Sequence, residues 1–474
     1  MASRAAARST FDRARAVVVN TARSEEKEAL TEKNAGGSRR PRAADTQRDI
    51  NEVFPRKVCV NLDRRADRWR QMRARFDRHG IRGVRRLPAF DGQLLTLPPE
   101  WSGTPGAYGC LLSHLRAVRE AREAGAPSVL IFEDDVEFDA DLPDKFRDYF
   151  SRVPADWDAL YFGALHMEDP AEVSENVRRI RRSYSTYAYA LRETVFDAFI
   201  ELNGKARKAV DVNNLALQAE RACYCFMPHL AWVESGHSDA QGRQNDHWYL
   251  RESLVVRGGS MNRLLGRTSV IIAHENSARR DGVTKGLLFL ARFYTERLRG
   301  TGVVVVEQSS ESTFDPASLP EGCRYLLIRD AGLLNRASCF NAGLRAVRPD
   351  DALVIFSDSD IFVEEWDICG NLRMCERYDC ATGFGSLLEL TRADTLKLQL
   401  DEAMLLRWLD ARKYRRREKA DAFGGYCVFD RRCIEGAGGW DERRAGEALA
   451  LSLKGGLPPR LFRSPNQALR LHRS

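Results

Sequence analysis

Glu133, Asp134 and Asp135 stand side by side at the end of an apolar run, in VLIFEDDVEF (129–138). Adjacent carboxylates repel one another, and more so where burial removes water. A divalent cation resolves the conflict. Oxygen ligands suit Mg²⁺ or Mn²⁺, ions that share their coordination shell with substrate phosphates. LVIFSDSDIF (353–362) repeats the arrangement with Asp358 and Asp360. Glu133 with Asp135, and Asp358 with Asp360, are each spaced i, i+2. Both members of a pair can therefore flank one ion, and in the second motif Ser359 points away. A solvated acidic loop is the alternative for either motif alone. Two motifs at equivalent places favour the metal.

Carboxylates so placed need sheets to hold them. KVCVNL (57–62) reads as a strand, RRADRWRQMRARFDRHG as a helix stopped by Gly80, and VRRLPAF as a second strand. GCLLSHLRAVREAREAG is a second helix closed by Gly125, and SVLIF a third strand. WDALYFGAL (157–165) and STYAYALR (185–192) are further strands. The alternation restarts with TSVIIAHENS, the helix DGVTKGLLFLARFYTERLRG, GVVVVEQSS, CRYLLIRD, the helix LLNRASCFNAGLRAV and DALVIFSDSD. The fold class expected is α/β, two nucleotide-binding (Rossmann-like) domains in tandem with mainly parallel sheets. In such sheets ligands bind at the carboxyl ends of strands, where both acidic motifs fall. The expected division is a disordered tail over 1–52, one domain over 53–255 and another over 268–474, with the boundary within RESLVVRGGSMNRLLGR (251–267).

At 474 residues and 43% hydrophobic, the chain can build more than one core. Its net charge of +7 spreads over 74 basic and 67 acidic residues. That surface suits phosphorylated substrates or peripheral contact with an anionic membrane, and does not call for nucleic acid. Eleven cysteines without a CxxC pair read as thiols in a reducing compartment. No apolar run approaches the roughly 18 residues of a membrane span. No apolar leader core is visible either, so the expectation is a cytoplasmic location.

Several motifs resemble known families. VCVNLDRRADRW, GAYGCLLSHLRAVREA, FEDDVEF, WDALYFGA, STYAYALR and PHLAWVESGHSDAQG, in that order over about 56–250, are similar to glycosyltransferase family 25, the lipooligosaccharide and procollagen galactosyltransferase group. SVIIAHENSARRDGV, VVVVEQ, LLNRASCFNAGL, FSDSDIFV and FGGYCVFDRRCIEGAGGWDE resemble the GT-A enzymes of family 2 and, near the end, of family 7. Those families follow GGWDE with an adjacent acidic pair, whereas this chain has AGEALAL, with Glu447 alone.

The resemblances imply two GT-A-like domains, UDP-sugar donors, galactose for one of them, and inversion at the anomeric carbon. They also imply a glycan, glycolipid or glycoprotein acceptor. Such chemistry needs a stabilised leaving diphosphate, a positioned nucleotide and a base for the acceptor hydroxyl. In the first half, Glu133 and Asp135 would hold metal, with Asp134 beside the donor. Asn61, Asp63 and Arg64 follow the first strand where a base or ribose would rest, or simply form a polar loop. Ser113 and His114 lie on the second helix, which could equally pack them on the sheet. The resemblance makes Asp211 a candidate base and Ser238 and Asp239 a closing segment, with His237 a surface neighbour.

In the second half, Asp358 and Asp360 would hold metal, and the resemblance adds His472. His274, Glu275 and Asn276 are implied nucleotide contacts. Glu307 could receive uracil or ribose, or be solvated at its strand end. Arg336 and Asn341 share a helix face, and Gly424 and Gly425 admit close approach of a sugar. Trp440 could stack on a sugar or sit in the core. Asp441, Glu442 and Glu447 compete as base, and ARKYRRREKA (411–420) is either a basic loop over the diphosphate or a solvated helix face. The reading is a bifunctional metal-dependent glycosyltransferase. The alternative is that one half is catalytic and the other binds acceptor glycan. Nucleotidyl transfer would need a Gly-rich, Lys-bearing phosphate loop that the sequence lacks.

Overall fold

In the computed structural model, the described residues run from 48 to 472, apart from 246, 277, 279, 402–413, 419–422, 445–452, 455–459 and 466. The expected tail lies almost wholly outside them. Order nevertheless starts earlier than the apolar run at Lys57. Asp49 and Glu52 form a reciprocal capping box around the turn Ile50–Val53. Phe54, fully buried, then packs edge-on against Phe146, Phe150 and Trp157.

Residues 48–474 form one compact unit containing two large sheets that share no strand. In the first, Lys57–Asn61 lies between Val84–Pro88 and Ser128–Glu133, parallel to both. In the second, Thr268–His274 lies between Gly302–Ser309 and Leu353–Asp358, again parallel to both. Val129, Leu130, Ile131 and Phe132 are fully buried, as are Val354, Ile355 and Phe356. Helices cover such strands on both faces, so they carry continuous apolar runs. The α/β class and the Rossmann-like parallel core are as expected.

Each acid-ended strand meets an antiparallel neighbour on its other side, Ala188–Arg192 in the first sheet and Tyr426–Asp430 in the second. The first sheet therefore departs from the mainly parallel expectation. Beyond its parallel centre it continues through Ala159–Tyr161, Cys223–Phe226 and the hairpin Ala171–Ser174/Val177–Arg179. A hairpin's short return can only be antiparallel, since parallel pairing needs a crossover of a dozen or more residues.

Candidate active site

Glu133 ends its strand, Asp134 and Asp135 form a turn, and Val136–Phe138 leaves to pair with Ala231–Val233. Two main-chain bonds fix this corner. The Glu133 amide donates to the Tyr187 carbonyl and the Glu234 amide to the Asp135 carbonyl, each at 2.8 Å. The second motif is built the same way. The Asp358 amide donates to the Gly425 carbonyl and the Leu471 amide to the Asp360 carbonyl, both also at 2.8 Å. Ile361–Phe362 then pairs with Gln467–Arg470. Even the neighbouring strand matches. Asn61 donates to Asp134 at 2.6 Å, and His274 meets the Ser359 hydroxyl at 3.0 Å.

Around the first corner, Arg68 Nη1 reaches Asp134 at 2.9 Å and Asp135 at 3.1 Å. Arg64 and Arg65 both bond Asp239 of the later segment, and Arg64 also bonds Asp91 at 2.8 Å. Thr186 donates to Glu133 at 2.9 Å, and His114 Nε2 lies 3.6 Å from the same carboxylate. Arg64, Arg68, Asp91, His114, Asp239 and the three acids line an open cleft at the carboxyl edge of the sheet, with Arg65 and Thr186 behind it. Helix Pro105–Glu123 gives it Gly106, Cys110 and His114, spaced i, i+4, i+8 along one face. Thr104 caps that helix and Pro105 starts it, which fixes its amino end at the cleft.

Burial and then the charge of Glu133 push the Asp135 carboxyl up to about 7, against the pull of Arg68. Burial likewise raises Asp134. Burial would raise Glu133 too, but the nearby His114, with Thr186 and Arg68, brings it below the ordinary value. Asp135 Oδ1 is buried and has no hydrogen-bond partner. A carboxylate oxygen left bare beside two other acids fits a divalent cation, with Glu133 and Asp135 to hold it. Asp211 stands in the first turn of helix Val210–Glu220, and burial raises its carboxyl, helped by nearby Glu133.

Some expected contacts are internal struts instead. Asn61 spends its amide on Asp134 and the Arg65 carbonyl and accepts from Arg86 at 2.7 Å. Asp63 is exposed and pairs with Arg86. Ser113 is buried and bonds the Gly109 carbonyl. Arg68, Arg65, Asp91 and Thr186 were missed. Arg64 and Arg68, four apart at a helix start, were the available signal.

In the second half, Arg336 lies 3.0 Å from Asp358 and Arg470 3.4 Å from Asp360. Asp358, Ser359 and Asp360 are all buried. Exposed His472 follows directly after the Leu471 amide that bonds Asp360, so the main chain brings it to the expected corner. Gly425 has φ +80°, and an added Cβ would press on Ile361 and Phe384. Glu275 lines a separate cleft with Gln308, Thr313 and Asp330. Trp440 differs from a sugar platform: it is fully buried among Phe340, Phe356, Phe423 and Phe429. Asn341 clamps its main chain at both N–H and C=O and also bonds Glu442. Glu307, fully buried, accepts from Ser312, Thr313 and Tyr325. Asn276 bonds Arg280 and Thr284, closing its own loop. These three spend their polar atoms on the fold: Glu307 and Asn276 satisfy the loops that follow their strands, and Asn341 reaches from its helix to the Trp440 main chain. Asp441 pairs with Arg443. Glu447 and most of the basic run at 411–420 lie outside the described residues.

No family model matches the chain. Curated relatives do. "Inactive glycosyltransferase 25 family member 3" of Homo sapiens is 32% identical over 177 residues, covering 32% of this chain and 29% of that protein. "Procollagen galactosyltransferase 1" of Danio rerio is 28% identical over 139 residues, 25% and 22% of the two chains. The chain thus spans less than a third of the length of these relatives. Among solved structures, S. aureus TarS 1–349 aligns at 13% identity and a TM-score of 0.28, over 43% of this chain and 60% of that one. Rv0371c of Mycobacterium tuberculosis aligns at 14% and 0.26, over 42% and 88%. The likeness to family 25 is thus borne out over part of the chain: it is similar in sequence to glycosyltransferase 25 family members, the procollagen galactosyltransferase of zebrafish among them.

Proposed function

We propose that this protein is a glycosyltransferase that moves a sugar, galactose in the first half, from a UDP-sugar to a glycan-bearing acceptor with inversion. The observation that carries it is the corner Glu133-Asp134-Asp135: three adjacent carboxylates, Asp134 buried and Asp135 with a bare, buried oxygen, lining a cleft at the carboxyl ends of the sheet's parallel strands. Glu133 and Asp135 would hold Mn²⁺ or Mg²⁺, and such an ion supplies charge stabilisation to the leaving diphosphate. Arg64 and Arg68 line the same cleft and add fixed positive charge beside it. Asp211, its carboxyl raised by burial, is the stronger base for the acceptor hydroxyl. The matching corner at Asp358 and Asp360 supports a second site and a bifunctional chain of two domains. The acceptor class is a glycan, glycolipid or glycoprotein.

A second reading makes the second half an acceptor-glycan-binding module. Arg336 and Arg470 beside Asp358 and Asp360 favour it, because they neutralise both acids without an ion. Hydrolysis of a panel of UDP-sugars, with and without Mn²⁺, separates the readings. Glu133→Ala/Asp135→Ala should abolish metal-dependent hydrolysis of one donor. Asp358→Ala/Asp360→Ala should abolish that of another if both halves turn over, and none if the second half only binds. Full metal-dependent hydrolysis by both variants would sink the proposal.

A further inference from the structure

Away from the carboxylate cleft, three side chains with metal-ligand chemistry converge inside the first half. His166 ends the short strand Leu165–His166, Cys225 lies within Cys223–Phe226, and His229 follows three residues after that strand. Their exposures are 1%, 0% and 1%. One ligand atom from each lies within 4.8 Å of the other two.

The hydrogen bonds orient these atoms. His229 Nδ1 is 2.8 Å from the Leu250 carbonyl, which can only accept. Nδ1 therefore carries the proton, and Nε2 presents a bare lone pair. His166 Nδ1 is held by the Ser183 hydroxyl at 2.9 Å. The two Nε2 atoms face each other at 3.5 Å. That is long for an N–H···N bond. It is close to the edge of a tetrahedron of imidazoles around zinc, about 3.3 Å for bonds of about 2.0–2.1 Å. A second partner bound to the other ring nitrogen is how metal-bound histidines are held. A further observation points inward. The Tyr187 hydroxyl, buried at 2% exposure, has no hydrogen-bond partner. It lies beside this group, since a Cβ on Gly163 would meet Tyr187 Oη at 2.6 Å and His229 Cβ at 3.2 Å.

We propose that His166, Cys225 and His229 form a structural site for a thiophilic ion of the zinc class, with the Tyr187 hydroxyl or a water as fourth ligand. Binding involves no redox change. The Cys225 thiol gives its proton to solvent, its thiolate and two imidazole lone pairs bind the ion, and one proton is released. His229 also lines an open cleft with Pro228, Trp232 and Ser253, which supplies an entry path. The site ties the strand Cys223–Phe226 of the first sheet to the segment after the sheet, because the His229 amide and ring bond Ser253 and Leu250.

The test is a Co²⁺ titration of the metal-stripped full chain. A thiolate-to-cobalt charge-transfer band should appear, saturate as Co²⁺ is added and vanish on adding Zn²⁺. Cys225→Ser, folded by circular dichroism, should lose the band. Cys110→Ser should keep it, although Cys110 sits with His114 and Glu133 in another cluster of possible ligands. No band, a band that survives Cys225→Ser, or a band lost in Cys110→Ser alone overturns the assignment. Should Cys225→Ser fail to fold, alkylation of Cys225 in the wild type decides. With free Zn²⁺ at about 100 times its Kd, alkylation in mild denaturant should slow about 100-fold. An unchanged rate overturns the site.

Discussion

Arg68 makes the first carboxylate cluster tolerable to the fold. Its side chain is 11% exposed and its guanidinium touches two acids that are hardly more exposed. Removing one member of such a buried set leaves an uncompensated charge, at a cost of about 3–5 kcal/mol. The cluster also has a pH signature. Asp135 holds its proton up to about 7 in the folded chain, against an ordinary value of 3.8, from burial first and Glu133 second. The folded state therefore binds more protons between those values, and the stability gained is lost as pH rises through that window. Asp134 and Asp211 are raised by burial and act in the same sense. Glu133 is lowered, so its contribution is lost only on the acid side of that range. The melting temperature of metal-free protein should fall from pH 4 to pH 7, and Asp135→Asn should flatten the fall. An equal slope in the variant would show that the proton is held elsewhere. The acids were legible in the sequence because they are neighbours in it. Arg68 was not, because it reaches them only through the fold, and Arg336 reads as a donor contact rather than as the partner of Asp358. Trp440 was ambiguous for the same reason: an indole reads alike whether it faces a sugar or four phenylalanines.

At the scale of elements, the buried parallel strands could be read from continuous apolar runs, and helix ends from Gly80 and Gly125, both at positive φ. Short strands such as Ala171–Ser174 could not, since an exposed edge has little apolar pattern to show. The helix Pro105–Glu123 shows what positions the cleft. A Cβ on Gly109 would lie 2.3 Å from the Phe90 carbonyl oxygen and 2.7 Å from the Gly92 nitrogen, and backbone cannot step aside cheaply. Gly109→Ala should gain about 1 kcal/mol of helix propensity and lose about 1–3 kcal/mol to overpacking. Phe90 and Gly92 line the cleft. The variant should therefore raise the donor KM more than it lowers kcat, with a lower melting temperature. Unchanged KM would mean that the loop relaxes without moving the cleft.

For the molecule as a whole, the two sheets meet through the segment after the first. The Trp248 indole donates to Asp367 at 2.9 Å, and its ring lies so close to Gly370 that a Cβ there would be 2.6 Å away. Arg373 donates to the Val255 carbonyl at 2.9 Å, and Arg257 stacks on Trp366. All of this lands on helix Glu365–Met374, just beyond Asp358 and Asp360. Trp248→Ala should cost about 3–5 kcal/mol. Calorimetry should show the single unfolding transition of the wild type moving down and separating into two. An unmoved single transition would show that the halves are coupled elsewhere. Two α/β units were visible in the sequence as a repeated rhythm of strands and helices. Their mutual packing was not, because it rests on contacts such as Trp248 with Gly370 and Arg257 with Trp366, between residues more than 100 positions apart. No described helix is long and apolar enough to cross a membrane.

The two acidic corners are held by the same pair of main-chain bonds, Glu133 to Tyr187 and Asp135 to Glu234, Asp358 to Gly425 and Asp360 to Leu471. A backbone grip is blind to side chains. The fold therefore keeps the address of the site while leaving its tenant free, a glutamate in one sheet and an aspartate in the other. Side chains at either corner can therefore change without altering the main-chain grip, although removing one charge from its set costs stability. Proline at 133 or 358 removes the gripping N–H from a central strand, and should unseat the corner together with the pairing beside it.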